Sequence, residues 1–363
     1  MSMDVAFLGT GSAYPSPCRG ASAVVFRTEG ECWLFDCGEG TQTQFMKSAL
    51  RAGRITKIFI THLHGDHMFG LPGFLCTVSL QCGSTPTKQH VDIYGPVGLR
   101  SFIQMSLEVS NSQLVFPYTV HELLPSEDQC PPEEFRDFTK YAGDRNPPSS
   151  EEQIIAADPA DGTYCLFESE QFTVKAFKLY HRIPSFGFVI AEKDRPGKLD
   201  VNKLRELGVP PGPLYGKLKL GSAVTLENGQ TISPCDVVGD PVPGRKVCIL
   251  GDCSGVAASG AAQLCQNADL LVHEATLDDG QMDKAKDHGH STPKMAAEFA
   301  NLCSAKKLVL THFSQRYKPP GLLSEGDEDV TILKTQAESV FMGHNVILAE
   351  DFLTINVPLK KPS

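Results

Sequence analysis

The 363-residue chain has no apolar stretch long enough to cross a bilayer, no basic segment ahead of a short apolar run near Met1, and no Cys-x-x-Cys pair. The first two absences argue against a membrane-spanning helix and a secretory leader, so an intracellular protein is expected. No strong basic localisation run is present to separate cytoplasm from nucleus, so the expectation is cytoplasmic with the nucleus also open. The twelve cysteines lie at irregular spacings in runs such as Val247-Cys248-Ile249-Leu250, which reads as reduced, buried small side chains rather than a disulfide framework. A net charge of −10 excludes a uniformly basic nucleic-acid-binding surface but leaves room for a local basic patch. Gly9-Thr10-Gly11-Ser12 lacks the third glycine and the Gly-Lys-Ser/Thr ending of phosphate-binding loops, so it reads as a plain loop. No short-period repeat is visible.

What is present is alternation of strands and helices. Asp4 to Gly9 reads as a strand, Ala21 to Arg27 and Glu31 to Cys37 as a hairpin, Thr41 to Arg51 as a helix, and Ile55 to Ile60 as a buried strand. Val91 to Tyr94 and Gly98 to Val109 follow as strand and helix. Gln129 to Asp161 is rich in Pro, Glu and Asp and reads as a solvated excursion without chemistry. The second half resumes with strands at Phe172 to Tyr180, Phe186 to Ala191, Val247 to Leu250, Leu270 to His273, Lys307 to Thr311 and Asn345 to Leu348. Helices are expected at Ala257 to Gln266, Thr292 to Cys303 and Val330 to Phe341. Between them, residues 192–245 hold Pro196-Gly197, Pro210-Pro211-Gly212-Pro213 and Pro241 to Gly244, too much punctuation for a core element, and read as an inserted arm. From Lys193 to Lys219 the arm carries Lys193, Arg195, Lys198, Lys203, Arg205, Lys217 and Lys219 against Asp194, Asp200 and Glu206, an excess of +4 in a chain of −10. It is either a solvated basic insertion or a handle for a polyanion.

The densest chemistry is Thr61-His62-Leu63-His64-Gly65-Asp66-His67, four metal-competent side chains in six positions at a strand end. Neutral imidazole is the commonest protein ligand for zinc, and a neighbouring carboxylate adds charge and a proton acceptor. Asp36, also at a strand end, reads as a structural or ligand-supporting acid. Further polar residues end later strands: His181, Asp252, His273-Glu274, His288-Gly289-His290 and His312. Sheet-based active sites gather at such ends. With four N/O donors per ion this set fits two ions, and Asp252 is the natural bridge because a carboxylate has two oxygens.

The run His62 to His67 with isolated His181, Asp252 and His312 resembles the metallo-β-lactamase superfamily, which implies an αββα sandwich spanning the chain as one domain, with a two-metal site at one edge. Within it, Asp36-Cys37-Gly38-Glu39-Gly40-Thr41-Gln42, Tyr180-His181-Arg182-Ile183-Pro184-Ser185-Phe186, His273-Glu274-Ala275-Thr276, His290-Ser291-Thr292 and Pro210-Pro211-Gly212-Pro213-Leu214-Tyr215-Gly216-Lys217 resemble the short form of tRNase Z. That resemblance implies an endoribonuclease that removes the 3′ trailer of precursor tRNA, leaving a 3′-hydroxyl on the tRNA and a 5′-phosphate on the trailer. It implies two Zn²⁺ per subunit: His62, His64 and His181 on one, Asp66, His67 and His312 on the other, Asp252 bridging. It makes Asp66 the proton acceptor and His290 the acid, oriented by Glu274. His273 and His288 are expected to be structural. The arm is expected to clamp the tRNA through its basic residues, in a homodimer where one subunit's arm serves the other's active site. Arg19 in Pro15-Ser16-Pro17-Cys18-Arg19-Gly20 keeps one position of the family's Pro-x-Lys-x-Arg-Asn loop and is expected to meet substrate; the lysine and asparagine positions differ. The alternative is another dinuclear hydrolase of this fold, such as a glyoxalase II-like thioesterase or a lactonase. Neither of these calls for the basic arm or for the Glu274 and His290 pair. A non-catalytic RNA-binding protein would have no use for the full ligand set.

Overall fold

All four residues of the strand Cys32–Phe35 are buried, yet they serve two cores. Cys32 and Leu34 join Phe45, Phe74, Leu75 and Ile103. Trp33 and Phe35 point the other way, their ring centroids 5.5 and 5.7 Å from those of Phe167 and Phe188. The two-residue period of a strand makes this division, and a strand buried on both faces belongs to a sheet covered on both sides. This computed structural model of the chain describes residues 2–82, 90–130, 154–256, 258–343 and 345–361.

The first sheet runs in the order Thr354–Asn356, Met3–Gly9, Ala23–Thr28, Cys32–Phe35, Ile55–Phe59, Val91–Pro96, Tyr118–Leu123, Ile154–Ile155. Its pairings are antiparallel up to Cys32–Phe35 and parallel beyond it. The second runs Gly255–Val256, Phe172–Tyr180, Ser185–Glu192, Lys246–Leu250, Leu270–Glu274, Leu308–Thr311, Val346–Leu348, with Thr163–Glu168 beside Phe172–Tyr180. Its last four strands in this order are parallel. The two sheets meet through aromatic rings: Phe59 stacks on Phe35 and Tyr94 at 4.6 and 5.1 Å and tilts against Phe188 at 5.3 Å. Helices Thr41–Lys47, Leu71–Gln81 and Leu99–Val109 cover the outer face of the first sheet. Ala258–Leu264, Pro293–Leu302 and Thr331–Glu338 cover the second, giving the αββα sandwich expected.

The chain divides into two compact units. The larger takes Met1–Glu168, Val174–Ile190 and Lys246–Val357; the smaller takes Ser169–Thr173, Ala191–Arg245 and Pro358–Ser363. The expectation that residues 192–245 lack core elements is corrected: Leu204, Val209, Leu218, Val224, Ile232 and Val237 form an apolar cluster of their own. It is built by helices Val201–Glu206, Pro213–Lys219 and Pro234–Val237 and the hairpin of Val224–Thr225 with Thr231–Ile232. Proline and capping residues start these helices instead of breaking them. Pro213 and Pro234 occupy first-turn positions, where no backbone donor is lost, and the Asp200 carboxylate accepts from the Asn202 and Lys203 amides. Within the smaller unit the buried Arg245 guanidinium grips Glu192 through Nε at 2.8 Å and Nη2 at 2.6 Å.

Elsewhere the structure departs from the sequence reading in detail. The helix from Thr41 ends at Lys47, where the Ser48 hydroxyl takes the Phe45 carbonyl at 2.6 Å. Strands Tyr118–Leu123 and Thr163–Glu168 were not anticipated. Most of the excursion from Gln129 to Asp161 lies outside the described residues, but Ile154–Ile155 within it pairs as an edge strand. Among the described residues no helix is long and apolar enough to cross a membrane.

Candidate metal centre

Every donor in the site lies at or just beyond the C-terminal end of a strand. His62 to His67 follow Ile55–Phe59 of the first sheet, whereas His181, Asp252 and His312 follow Phe172–Tyr180, Lys246–Leu250 and Leu308–Thr311 of the second. Asp66 and His67 sit in the single turn Gly65–Met68, which packs against the Asp36-Cys37-Gly38 loop, with the Cys37 amide donating to the His67 carbonyl at 2.7 Å. Gly38 is required there, since a Cβ would lie 2.1 Å from the Asp66 carbonyl oxygen.

The seven ligand candidates converge. His62, His64 and His181 place donor atoms within 4.8 Å of one another, as do Asp66, His67 and His312. His64 Nδ1 lies 3.1 Å from both His62 Nε2 and His181 Nε2. Asp252 Oδ2 stands between the two groups, 3.7 Å from His62 Nε2, 3.4 Å from His67 Nε2 and 3.3 Å from His312 Nε2. Asp66 Oδ2 is 3.2 Å from His312 Nε2 and 3.6 Å from His67 Nε2.

The far nitrogen of four of the rings explains why the near one is free to ligate. His67 Nδ1 faces Asp36 Oδ2 at 2.7 Å, and a carboxylate only accepts, so that nitrogen carries the proton. Thr61 Oγ1 donates to the same oxygen at 2.9 Å and therefore accepts from His62 Nδ1 at 3.0 Å. His181 Nδ1 donates to the Gly289 carbonyl at 2.6 Å, and His312 Nδ1 to Thr276 Oγ1 at 3.0 Å. The Nε2 atoms of His62, His67, His181 and His312 are thus all turned inward beside the Asp66 and Asp252 carboxylates, an arrangement satisfied by a cation. Charge points the same way. Burial holds His62 well below the ordinary histidine range and His181 down to about 4, so both are neutral donors. At His67 burial is outweighed by Asp252, Asp36 and Asp66, which push it well above that range: a positive charge is favoured where these carboxylates converge. The residues present fit a metal.

A second device adjoins the cluster. His290 Nδ1 donates to Glu274 Oε1 at 3.0 Å, and Glu274, itself fully buried, also receives the Cys253 amide at 2.9 Å and the Thr276 hydroxyl at 2.5 Å. Burial alone would lower the His290 pKa, but the Glu274 charge and hydrogen bond push it up to about 9. Glu274 thus favours the charged imidazolium, and with Nδ1 anchored, Nε2 is the atom that can give a proton away.

The remaining candidates lie outside the cluster. His273 is buried outside the cluster, its Nδ1 on the Glu274 carbonyl at 2.8 Å, and His288 is exposed. Arg19, expected to meet substrate, is 3 % exposed: its guanidinium lies 4.7 Å above the Phe313 ring, with Nη1 on Thr10 Oγ1 and the Ala349 carbonyl at 2.8 and 3.0 Å. It is corrected to an interior residue that braces its loop. Lys193, Lys198, Lys203, Arg205, Lys217 and Lys219 are exposed on the smaller unit, while Arg195 is half-buried and donates to the Lys360 carbonyl at 2.7 Å. Three contributors were unread: Thr276, Gly289, and the Ala13 amide, which donates to Asp66 Oδ2 at 2.7 Å. Ala13 adopts φ 69°, a left-handed conformation that costs an alanine about 1 kcal/mol or more, and such strain gathers at functional sites.

An αββα sandwich with histidine and aspartate donors at the strand ends of both sheets is the metallo-β-lactamase arrangement. Residues 225–313 match the family described as Beta-lactamase superfamily domain, and residues 3–101 match Anti-Pycsar protein Apyc1. The chain is 66% identical to human zinc phosphodiesterase ELAC protein 1 over 99% of its length and 100% of that protein. It is 39% identical to ribonuclease Z of Rippkaea orientalis over 98% of both chains. The solved structure of human tRNase Z, short form (ELAC1), superposes with TM-score 0.70 and 51% identity, covering 98% of this chain and 100% of that one. The Bacillus subtilis metallo-beta-lactamase fold protein YhfI, at 17% identity, TM-score 0.57 and coverage of 98% and 100%, shares the fold. The chain belongs to the family of zinc phosphodiesterase ELAC protein 1 and ribonuclease Z.

Proposed function

We infer that this chain is a zinc-dependent endoribonuclease that cuts precursor tRNA at its 3′ end, leaving a 3′-hydroxyl on the tRNA and a 5′-phosphate on the trailer. The observation that carries the reading is the pairing of a complete seven-donor cluster with the Glu274 and His290 device, in a chain 66% identical to a zinc phosphodiesterase. His62, His64 and His181 would hold one Zn²⁺ and Asp66, His67 and His312 a second, with Asp252 between them. When bound, zinc supplies Lewis acidity toward a phosphoryl oxygen and water acidic enough to ionise near neutral pH.

The chain's own residues then move protons. Asp66, fixed by the Ala13 amide, is the acceptor of the nucleophile's proton. His290, charged and anchored through Nδ1, gives the proton on Nε2 to the leaving 3′ oxygen, and Glu274 keeps the imidazolium charged and aimed. An alkoxide leaving group of high pKa needs such an acid, whereas a thiolate does not, which favours a phosphodiester over the thioester alternative. The exposed arm cations supply phosphate contacts without reading sequence, suited to a partner recognised by shape. Pairing of two copies, each arm serving the other's site, and a cytoplasmic or nuclear location complete the proposal. The test is incubation of the zinc-loaded protein with a precursor tRNA, followed by sequencing of both product ends. A single cut at the trailer junction is expected, and cleavage of thioesters without cleavage of RNA would overturn the reading.

A further inference from the structure

Resting on the endoribonuclease reading, we propose that Tyr14 is the stacking platform for the base of the first trailer nucleotide, making it a substrate-positioning residue beside the metal centre. The loop from Thr10 to Arg19 runs over Asp66, and its strained residue, Ala13, holds the Asp66 carboxylate. Tyr14 is the next residue, its Cα about 3.8 Å from that of Ala13, so the side chain is rooted one residue from the amide that holds Asp66. The backbone is pinned at this point. The Tyr14 amide donates to the Ser12 carbonyl at 2.9 Å, its carbonyl accepts Gln315 Nε2 at 2.8 Å, and Pro15 restricts it from the other side.

On this rigid support the tyrosine ring is 58% exposed, although an aromatic ring in solvent contributes nothing to folding. Fixed, exposed aromatic faces are what single-stranded nucleic acid stacks on, and stacking accepts any base, as a processing enzyme of many substrates requires. The side of the cut follows from the two proton-handling groups. His290, at the Glu274 end of the cluster, serves the leaving 3′ oxygen of the tRNA. Tyr14 stands at the Asp66 end, away from the leaving oxygen, and the nucleotide that keeps the phosphate is the trailer's first.

The experiment measures kcat/KM of the zinc-loaded enzyme on precursor tRNAs carrying either a base or an abasic residue at the first trailer position. A second pair has the abasic residue in the last tRNA position before the cut. On the intact RNA, Tyr14→Ala is expected to lose about five- to 150-fold, the range of one base-stacking contact, and Tyr14→Phe, which keeps the ring, to stay within about threefold of the wild type. On the RNA abasic at the first trailer position, wild type and Tyr14→Ala are expected to converge to within about twofold, the non-additivity of partners in contact. The proposal is overturned if Tyr14→Ala matches wild type on intact RNA. It is equally overturned if the loss persists on the first-trailer abasic RNA, or if convergence appears with the other abasic RNA instead. Wild type that hydrolyses bis-p-nitrophenyl phosphate but cuts none of these RNAs would remove the RNA reading itself, and this proposal with it.

Discussion

Asp36→Asn isolates the aiming of the metal ligands from their identity. The Asp36 carboxylate accepts three bonds: the Thr61 amide on Oδ1 at 2.7 Å, and the Thr61 hydroxyl and His67 Nδ1 on Oδ2 at 2.9 and 2.7 Å. Asparagine has the same shape and tolerates the φ of 58° found here, so the backbone carries no new strain. Its amide nitrogen nevertheless has no good place. At the Oδ1 position it meets the Thr61 N–H, an obligate donor; at the Oδ2 position it meets the His67 N–H. In the second case relief comes only if His67 moves its proton to Nε2, the atom that faces the metal. The charged hydrogen bond lost is worth about 1.5–3 kcal/mol, and partners of ligating histidines typically carry about 10–100-fold in metal affinity. Zinc affinity, read by competition with a chromogenic chelator, is therefore expected to fall about 10–100-fold, while the thermal midpoint of the chelated protein changes little. Unchanged zinc affinity would refute the aiming role, and equal losses with and without zinc would assign Asp36 to folding.

Gly289→Ala should lower both the thermal midpoint and zinc content by elemental analysis, because the new Cβ would lie 2.5 Å from His181 Nδ1 at a residue with φ 78°; an alanine variant with full zinc occupancy would contradict this. His290→Ala is expected to slow precursor tRNA cleavage by a factor of about 10²–10⁴, the usual contribution of a general acid, but to slow hydrolysis of bis-p-nitrophenyl phosphate far less, since nitrophenolate leaves unaided. Equal losses would argue against the acid role. In the smaller unit, burial would raise the Glu192 carboxyl, but the Arg245 guanidinium holds it below the usual carboxylate range. A depressed folded-state pKa means stability that is complete above the unfolded carboxylate range near about pH 4.3 and is lost as pH falls below it. Arg245→Met, which strands that carboxylate, should therefore cost about 3–5 kcal/mol in denaturant unfolding at pH 7 and much less at pH 3. A penalty independent of pH would exclude the pair as its source.

The donors were legible because their chemistry is written in residue type and place: four metal-competent side chains within six positions, and single histidines or aspartates at later strand ends. Asp36 could be read as support for the same reason. The contributions of Gly289 and Ala13 could not, because a carbonyl and an amide carry no residue-type signal and their aim is set by backbone conformation. Arg19 was misplaced because sequence does not distinguish an arginine turned outward from one laid over a buried ring; its guanidinium finds Phe313, nearly three hundred residues away along the chain. The arm's basic face was visible, but its small core was not. Six apolar residues separated by prolines and glycines show no period, and only folding reveals that the prolines begin helices. Tyr118–Leu123 was missed for a related reason: His121 and Glu122 interrupt the apolar pattern, yet both are buried in the sheet.

The strand Thr354–Asn356 completes the first sheet beside Met3–Gly9, and the residues just before it hold the loop that carries Ala13. Asp351 receives the Thr10 hydroxyl, the Gly20 amide and Gln44 Nε2 at 2.8, 2.7 and 2.8 Å, and the Ala349 carbonyl receives Arg19. All seven metal donors precede, in the order of synthesis, the residues Ala349 and Asp351 that brace the loop over Asp66. Donor assembly and catalytic competence are thus separated in time by the order in which the chain is made. A chain ended at Leu348 would keep all seven donor residues but lose the brace on the loop that carries Ala13.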